Sequence, residues 1–200
     1  GRLNITAPVT YGERMIAPLI NDFLTLYPEL EVNMVFTNQI LDLVSENYDL
    51  AIRLGELKDS AMMAGQLATR TQYVCASPDY LAAQGEPHTL SELEQYNCLQ
   101  GTLDYWRFAE AKTPKHIRVT GNIHYNSGSA LVDAALKGIG IVQLPDYYVS
   151  HLIDSGRLLP LLERFRAPDE GIWAIYPHNR QLSPKVRLLI DYLRKGLSLY

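Results

Sequence analysis

The order of hydrophobic periodicities in the first 54 residues constrains the fold more than any other feature of the sequence. Apolar and polar residues alternate over residues 3–7 as in a strand, and the apolar residues of 15–24 then fall on one face of a helix that ends before Pro28. Residues 32–37, 39–46 and 49–54 continue as strand, helix and strand. Because helices that alternate with strands form right-handed crossovers, this order predicts a mainly parallel sheet with helices on both faces.

A second region of the same α/β character follows a long extended stretch over residues 66–77. Its predicted elements are strands at 117–125, 139–144, 158–162 and 171–176 and helices at 129–137 and 147–153. Ser183 and Pro184 begin a final amphipathic helix. We therefore predict two Rossmann-like α/β lobes joined by two crossing strands, with residues 1–72 and 177–200 in lobe I and residues 73–176 in lobe II.

Composition narrows the functional classes. The 200 residues are 47% hydrophobic, which is enough to bury a substantial core, and 18 basic against 22 acidic residues give a formal charge of −4. This balance disfavours direct binding to nucleic acid, since phosphate contacts need a basic surface.

No apolar run approaches the ~20 residues of a membrane span, so we expect a cytoplasmic protein. In that compartment Cys75 and Cys98 would stay reduced and structural; a redox-sensing pair is the other interpretation.

Ligands of open α/β sheets bind beyond the carboxyl ends of the strands, where loops lead into helix N-termini. The loop from Pro8 to Gly12, the loop around Asn38 and the loop from Asn126 to Ser129 occupy such positions. Each offers a hydroxyl or amide beside backbone N–H groups, an arrangement that favours an anion. Thr10, Asn38, Ser127 and Ser129 are equally well explained as helix caps.

Two further segments carry candidate binding residues. Arg53 ends an otherwise apolar strand, where its guanidinium can pair with a ligand carboxylate or, equally well, form a structural ion pair with Glu56 or Asp49. Gln100, Thr102 and Tyr105 follow the segment YNCLQG and are candidates for a second wall of the site. Trp106 beside them is expected in the core.

Catalytic and metal-binding patterns find little support. The five histidines form neither an HxxxH nor an HExxH arrangement, and Ser127 in NSGSA lacks the GxSxG context of a nucleophile. The glycine-rich GIGIV passes from helix to strand, the reverse of a dinucleotide-binding loop. We therefore predict a protein that is not an enzyme and that uses no metal ion or cofactor.

Five segments in order resemble the effector-binding domain of LysR-type transcriptional regulators. They are GRLNITAP, FLTLYPELEVNMVF, YDLAIRLGELKDS, YVCASPDYLAAQGEP and ALVDAALKGIGIVQLP, and together they span nearly the whole chain. The resemblance implies a fold like that of type 2 periplasmic solute-binding proteins, with a small-molecule effector in the cleft between lobes. The ligand positions that it implies are Pro8, Val9, Thr10, Asn38, Ser127 and Ser129.

The resemblance also implies a homodimer or higher homo-oligomer, in which residues 13–26 and 32–36 of one copy meet residues 118–125 and 129–137 of another. Such regulators bind promoter DNA through an N-terminal winged helix-turn-helix, which this sequence does not contain. We expect the chain to sense a small organic acid or related metabolite for transcription regulation. The alternative is a solute-binding protein of a transporter, which shares the fold and would carry a signal peptide.

Overall fold

The computed structural model describes residues 1–57, 62–177 and 182–199. The chain divides into two compact units, one made of residues 1–69 and 170–200 and the other of residues 70–169. The predicted lobes differ from these units mainly at residues 170–176, which were placed in lobe II. The strand Glu170–Pro177 instead pairs with the strand Leu50–Leu54, with Ile172 opposite Leu54 and Ile175 opposite Ala51, and therefore belongs to the first unit.

The first unit is built on a five-stranded sheet. Its strands are β1 (Arg2–Ala7), β2 (Glu31–Phe36), β3 (Leu50–Leu54), β4 (Met62–Arg70) and β10 (Glu170–Pro177), in the order β2-β1-β3-β10-β4. β1 runs parallel to both β2 and β3, whereas β10 is antiparallel to β3. Leu3, Ile5 and Ala7 are buried along β1, as their alternation predicted.

Helical segments cover this sheet. After β1 the chain forms α1 (Val9–Tyr11), a π-helical turn (Gly12–Ile16) and α2 (Ala17–Leu26), and the last helix of the unit is α6 (Pro184–Leu197). Gly12 lets the helix start lie against the ends of β1 and β2, since a Cβ there would meet Ala7 Cβ at 3.0 Å and Phe36 Cδ1 at 2.9 Å. The Ser183 hydroxyl caps α6 by accepting from the Val186 N–H at 3.3 Å, as predicted.

The helix predicted over residues 39–46 is wrong, because this segment forms turns. The Asp42 carboxylate accepts hydrogen bonds from the N–H groups of Val44 and Ser45, at 3.1 and 3.3 Å. Asn47 then adopts a left-handed conformation with φ of 60°. The side chain of Asp42 thus satisfies donors at the start of one turn, and Asn47 prevents a second turn from forming.

The second unit combines a small sheet, a hairpin and three helices. Its strands are β5 (Gln72–Ala76), β6 (Tyr105–Glu110), β7 (Thr113–Arg118), β8 (Val142–Pro145) and β9 (Leu159–Leu161), and its helices are α3 (Pro78–Gln84), α4 (Gly128–Leu136) and α5 (Asp146–Asp154). β5 lies between β8 and β9 and is antiparallel to both. Short 3-10 turns at Ser91–Gln95 and Glu163–Phe165 complete the unit.

The strand predicted over residues 117–125 is wrong beyond Arg118. β6 and β7 instead form an antiparallel hairpin, with Tyr105 opposite Arg118. The two residues between these strands, Ala111 and Lys112, have φ values of 51° and 67°. A turn of that kind normally contains Gly or Asn, so the sequence carried no signal for it.

Candidate functional site

In the first unit, most of the predicted ligand positions lie at one edge of the sheet. β1 and β2 are parallel and in register up to Ala7 and Phe36, so the loops that follow them start side by side. The Val9 N–H donates to Asn38 Oδ1 at 3.1 Å, and the Pro8 carbonyl accepts from the Gly12 N–H at 2.8 Å. Asn38 therefore fixes the start of the helix, which is the role expected of it as a helix cap. Thr10 is half-buried in the first turn of the same helix.

Arg53 lies at the same edge. β3 is parallel to β1 with Thr6 opposite Ala51, and this register brings Arg53 level with the loop at Pro8. Its guanidinium is half-buried and donates to the Ile52 carbonyl at 3.3 Å, and burial lowers its pKa. The Asp49 carboxylate, one of the ion-pair partners predicted for Arg53, accepts from the Asn4 N–H at 2.9 Å.

In the second unit, two of the predicted positions are engaged in structural hydrogen bonds. The Gln100 backbone bonds to Ile123 and Tyr125, and its side-chain amide donates to the Val119 carbonyl. The Ser127 hydroxyl accepts from the Ala130 N–H at 3.3 Å and caps α4. Ser129 is exposed in the first turn of that helix.

Thr102 lines a cavity of about 280 Å³ that lies wholly within the second unit. The cavity is bounded by the C-terminal end of β8, the outer face of β6, the N-terminus of α4 and the loops at residues 101–103 and 125–126. Aromatic and aliphatic side chains provide its apolar surface, and amides and arginines its polar surface. Its described lining residues are Arg70, Gln72, Gly101, Thr102, Leu103, Tyr105, Trp106, Arg107, Tyr125, Asn126, Gly128, Leu131, Gln143, Leu144, Pro145 and Tyr148.

The two arginines of this cavity were not predicted as site residues. Arg107 lies on β6, on the face opposite the buried side chains of Trp106 and Phe108. Trp106 is thus in the core, as expected, although it also contributes to the cavity wall. Arg70 is the last residue of β4 and donates to the Tyr147 hydroxyl at 3.2 Å. Burial raises the pKa of Tyr147 to about 12, so the phenol stays neutral beside the guanidinium.

The side chain of Gln143 holds the cavity wall together. Its Oε1 accepts from the Arg107 N–H at 3.0 Å, and its Nε2 donates to the Arg107 carbonyl at 2.8 Å. This reciprocal pair connects β6 to β8 in place of a strand ladder. Gln143 was not predicted as a site residue; the single polar residue in the apolar strand IVQLP is the sequence signal that could have indicated it.

The cysteines are poor candidates for chemistry. Cys75 and Cys98 are free and fully buried, and they belong to separate core clusters of the second unit. Burial raises the pKa of both thiols to about 12, which keeps them protonated at neutral pH. Across the described residues, no group of three or more His, Cys, Asp or Glu side chains is arranged to hold a metal ion.

These features define the chain as a two-unit α/β domain of the periplasmic-binding-protein-like class, with polar loop residues at the sheet edge of one unit and a cavity in the other. None of the described helices is long and apolar enough to cross a membrane.

The family follows from comparison with known proteins. A family model described as the LysR substrate binding domain matches residues 1–198, and the chain belongs to this family. It is 33% identical over 201 residues to the HTH-type transcriptional regulator PtxR of Pseudomonas aeruginosa, a match that covers 98% of this chain and 64% of PtxR. It is 32% identical over 200 residues to the HTH-type transcriptional regulator DmlR of Escherichia coli, with coverage of 98% and 65%.

Solved structures agree with this assignment. The regulatory domain of CrgA, a LysR-type transcriptional regulator from Neisseria meningitidis, superposes with a TM-score of 0.82 at 30% identity, and the match covers 98% of each chain. The chain therefore spans about 65% of the length of the curated regulators it matches and nearly all of a separately solved regulatory domain. The predicted fold class and family are confirmed, and the relatives favour a regulator over the transporter alternative.

Proposed function

We propose that this chain is the sensor of a cytoplasmic LysR-type transcription regulator, which binds a small organic anion and thereby alters promoter binding by the whole protein. The observation that carries this proposal is the cavity of the second unit, which combines two arginines with amide and aromatic groups in a member of the LysR substrate-binding family. Cavities with an apolar lining and a few oriented polar groups are typical of small-molecule sites.

The whole protein would contact DNA through a helix-turn-helix outside this chain, as the names of the HTH-type relatives suggest. A winged form of that helix-turn-helix and assembly as a homo-oligomer are further parts of the proposal. Catalysis is not part of the proposal, because the cavity offers no nucleophile with an adjacent base among its described lining residues. The effector acts by binding one conformational or quaternary state more tightly than another.

Each unit has its own set of proposed effector-contact residues. In the first unit they are Pro8, Val9, Thr10, Asn38 and Arg53, whose backbone and side-chain groups lie at one sheet edge. In the second unit they are Thr102 on the cavity, with Gln100, Ser127 and Ser129 on neighbouring segments. Because Gln100 and Ser127 already serve as structural partners, we expect Thr102, with Arg70 and Arg107 of the same cavity, to contribute most to affinity. Arg53 is the cationic candidate of the first unit.

A thermal-shift screen tests this function with a panel of organic acids and their neutral amides. A true effector at 100 times its dissociation constant stabilises the domain by ~2.7 kcal/mol, and the matching amide should not. Thr102→Val and Arg107→Met should each reduce the shift given by the best acid, and Arg53→Met tests separately whether the first unit contributes. Thr113→Val, on an exposed strand away from the cavity, is the control and should leave it unchanged. If no acid stabilises the domain more than its amide does, the proposed sensing of organic anions is wrong.

A further inference from the structure

Building on the proposed sensor function, we infer that the cavity of the second unit selects carboxylates that carry a flat apolar group. Arg70 and Arg107 recognise the carboxylate, and Tyr148, packed on Gly128, forms the wall that fits the flat group.

The charge of the cavity favours an anion. Arg70 and Arg107 both line it, and neither Asp nor Glu occurs among its described lining residues. The Asp146 carboxylate lies close enough to Arg70 to offset part of its charge, so Arg107 is the main cation of the cavity. The nearby Asp104 carboxylate lies 3.6 Å from the guanidinium of Arg118, which reduces its repulsion of an incoming anion. A guanidinium can bond both oxygens of one carboxylate, so an arginine here provides orientation as well as attraction.

The arginines are held at different points of the wall. The backbone of Arg107 is tied on both sides to the side chain of Gln143, in the middle of β8. Arg70 is tied to Tyr147, which follows the end of the same strand. These positions are four residues apart in sequence, so the two arginines approach the cavity from separate points. The hydrogen bond to the Tyr147 hydroxyl restrains the Arg70 guanidinium before a ligand arrives, so less conformational entropy is lost on binding.

The apolar wall has a close packing requirement. The ring of Tyr148 lies directly on Gly128, at the first residue of α4, where a Cβ atom would come within 2.7 Å of Tyr148 Cε1. Any side chain at position 128 would therefore push the ring away from α4. Leu131, Leu144 and the edge of Trp106 provide further apolar surface around the cavity. A flat group matches this lining, since aromatic side chains favour offset or edge contacts with planar partners.

Three small probes test the requirement for a negative charge and the requirement for a flat apolar group separately. We expect benzoate, which has both a ring and a charge, to bind at least tenfold more tightly than acetate or benzamide in isothermal titration calorimetry. Benzamide that binds as tightly as benzoate overturns the role of the arginines, and equal binding of acetate overturns that of the apolar wall. If none of the three binds while another organic acid stabilises the domain, the inferred ligand class is wrong and the sensor function stands.

Two pairs of variants locate the site. Gly128→Ala should weaken benzoate binding at least tenfold, whereas Gly65→Ala, where the new Cβ meets only the end of the Arg194 side chain at 3.3 Å in the first unit, should leave it unchanged. Arg107→Met should have an effect at least as large, with exposed Arg157→Met as its control. If Gly128→Ala fails to fold, Tyr148→Ala tests the same wall. Unchanged affinity in the folded Gly128 or Tyr148 variant overturns the inference.

Discussion

The two units use the same kinds of residue in different ways. In the first, β1, β2 and β3 form a continuous parallel ladder, and the polar groups beyond their ends bond to one another, as Asn38 does to Val9. In the second, the regular ladder is limited to three short strands and a separate hairpin. There, the side chain of Gln143 pairs with the backbone of Arg107 and takes the place of ladder hydrogen bonds between β6 and β8.

The difference shows how a ligand cavity can arise in an α/β unit. A continuous ladder satisfies backbone groups and brings strands to about 4.8 Å spacing, which leaves no room between them. Where a side-chain amide bridges two segments instead, the segments lie farther apart and polar groups line the space. The cavity lies beside such a bridge, between β6 and β8. Matched substitutions in the two units test whether their stability and ligand binding depend on different interactions.

The largest effects are expected from truncating one buried aromatic residue in each unit. Phe23 on α2 and Phe108 on β6 are both 2% exposed. Replacing either with Ala removes a large side chain from a packed core and should cost ~3–5 kcal/mol of unfolding free energy. Chemical denaturation monitored by circular dichroism measures this loss.

The same two variants also separate binding from stability. Phe108 is adjacent to Arg107, so the folded Phe108→Ala variant should bind benzoate or the best acid more weakly. Phe23→Ala should bind it with unchanged affinity under conditions where the domain is still folded. Equal losses of affinity in both variants would contradict the placement of the site within the second unit.

Removing helix caps should cost less unfolding free energy than removing the core aromatic residues, and the cost should be similar in the two units. Ser183 in the first unit and Ser127 in the second each accept a backbone N–H at 3.3 Å, whereas Ser77, which caps α3, is buried and accepts from Tyr80 at 3.1 Å. Replacing each with Ala should cost ~0.5–2 kcal/mol, with Ser77→Ala the most damaging. Thermal denaturation checks the order. If Ser127→Ala lowers ligand affinity without lowering stability, Ser127 is a ligand contact and the capping interpretation fails.

Sequence reasoning predicted the regular elements well where periodicity and capping signals coincided. The Ser183–Pro184 pair gave the start of α6, and Gly138, with φ of 76°, follows α4 as predicted. It failed where residues other than glycine adopt a left-handed conformation. Asn47 ends the turn that Asp42 caps before a helix can form, and the left-handed Ala111 and Lys112 form the turn of the hairpin, which was not predicted.

The candidate site was harder to predict because its residues come together only through packing. Loops at strand ends were visible in the sequence, and they gave Thr102 and the first-unit positions. Arg107 was missed because it lies in the hairpin of β6 and β7, which was not predicted. Tyr148 was missed because it lies on α5, a helix whose sequence shows no sign of a binding site. Only the folded chain brings Tyr148 onto Gly128, 20 positions earlier in the sequence.

The smallest expected effects distinguish the units by the sign of a pH dependence. Hydrogen bonds from the backbone and side chain of Ser45 and the backbone of Val44 lower the pKa of Asp42 below its ordinary value of 3.8, while burial raises the pKa of Asp146 above that value. The ionised form of Asp42 therefore stabilises the fold, and this contribution is lost as pH falls below 3.8 and through the folded-state pKa. The ionised form of Asp146 carries a desolvation cost, so stability falls as pH rises from 3.8 through its folded-state pKa.

Asp42→Asn and Asp146→Asn should therefore change stability with opposite pH slopes. The stability advantage of the wild-type domain over Asp42→Asn should grow with rising pH in the window below 3.8, and its advantage over Asp146→Asn should shrink with rising pH in the window above 3.8. Urea denaturation of the wild-type domain and of both variants at closely spaced pH values measures both differences. Slopes of the same sign would mean that Asp146 gains more from the N–H groups of Thr71 and Tyr147, at 3.2 and 2.8 Å, than it loses to burial. The Asp146 carboxylate would then cap a helix in the second unit, just as the Asp42 carboxylate caps a turn in the first. The contrast between the units in pH dependence would disappear.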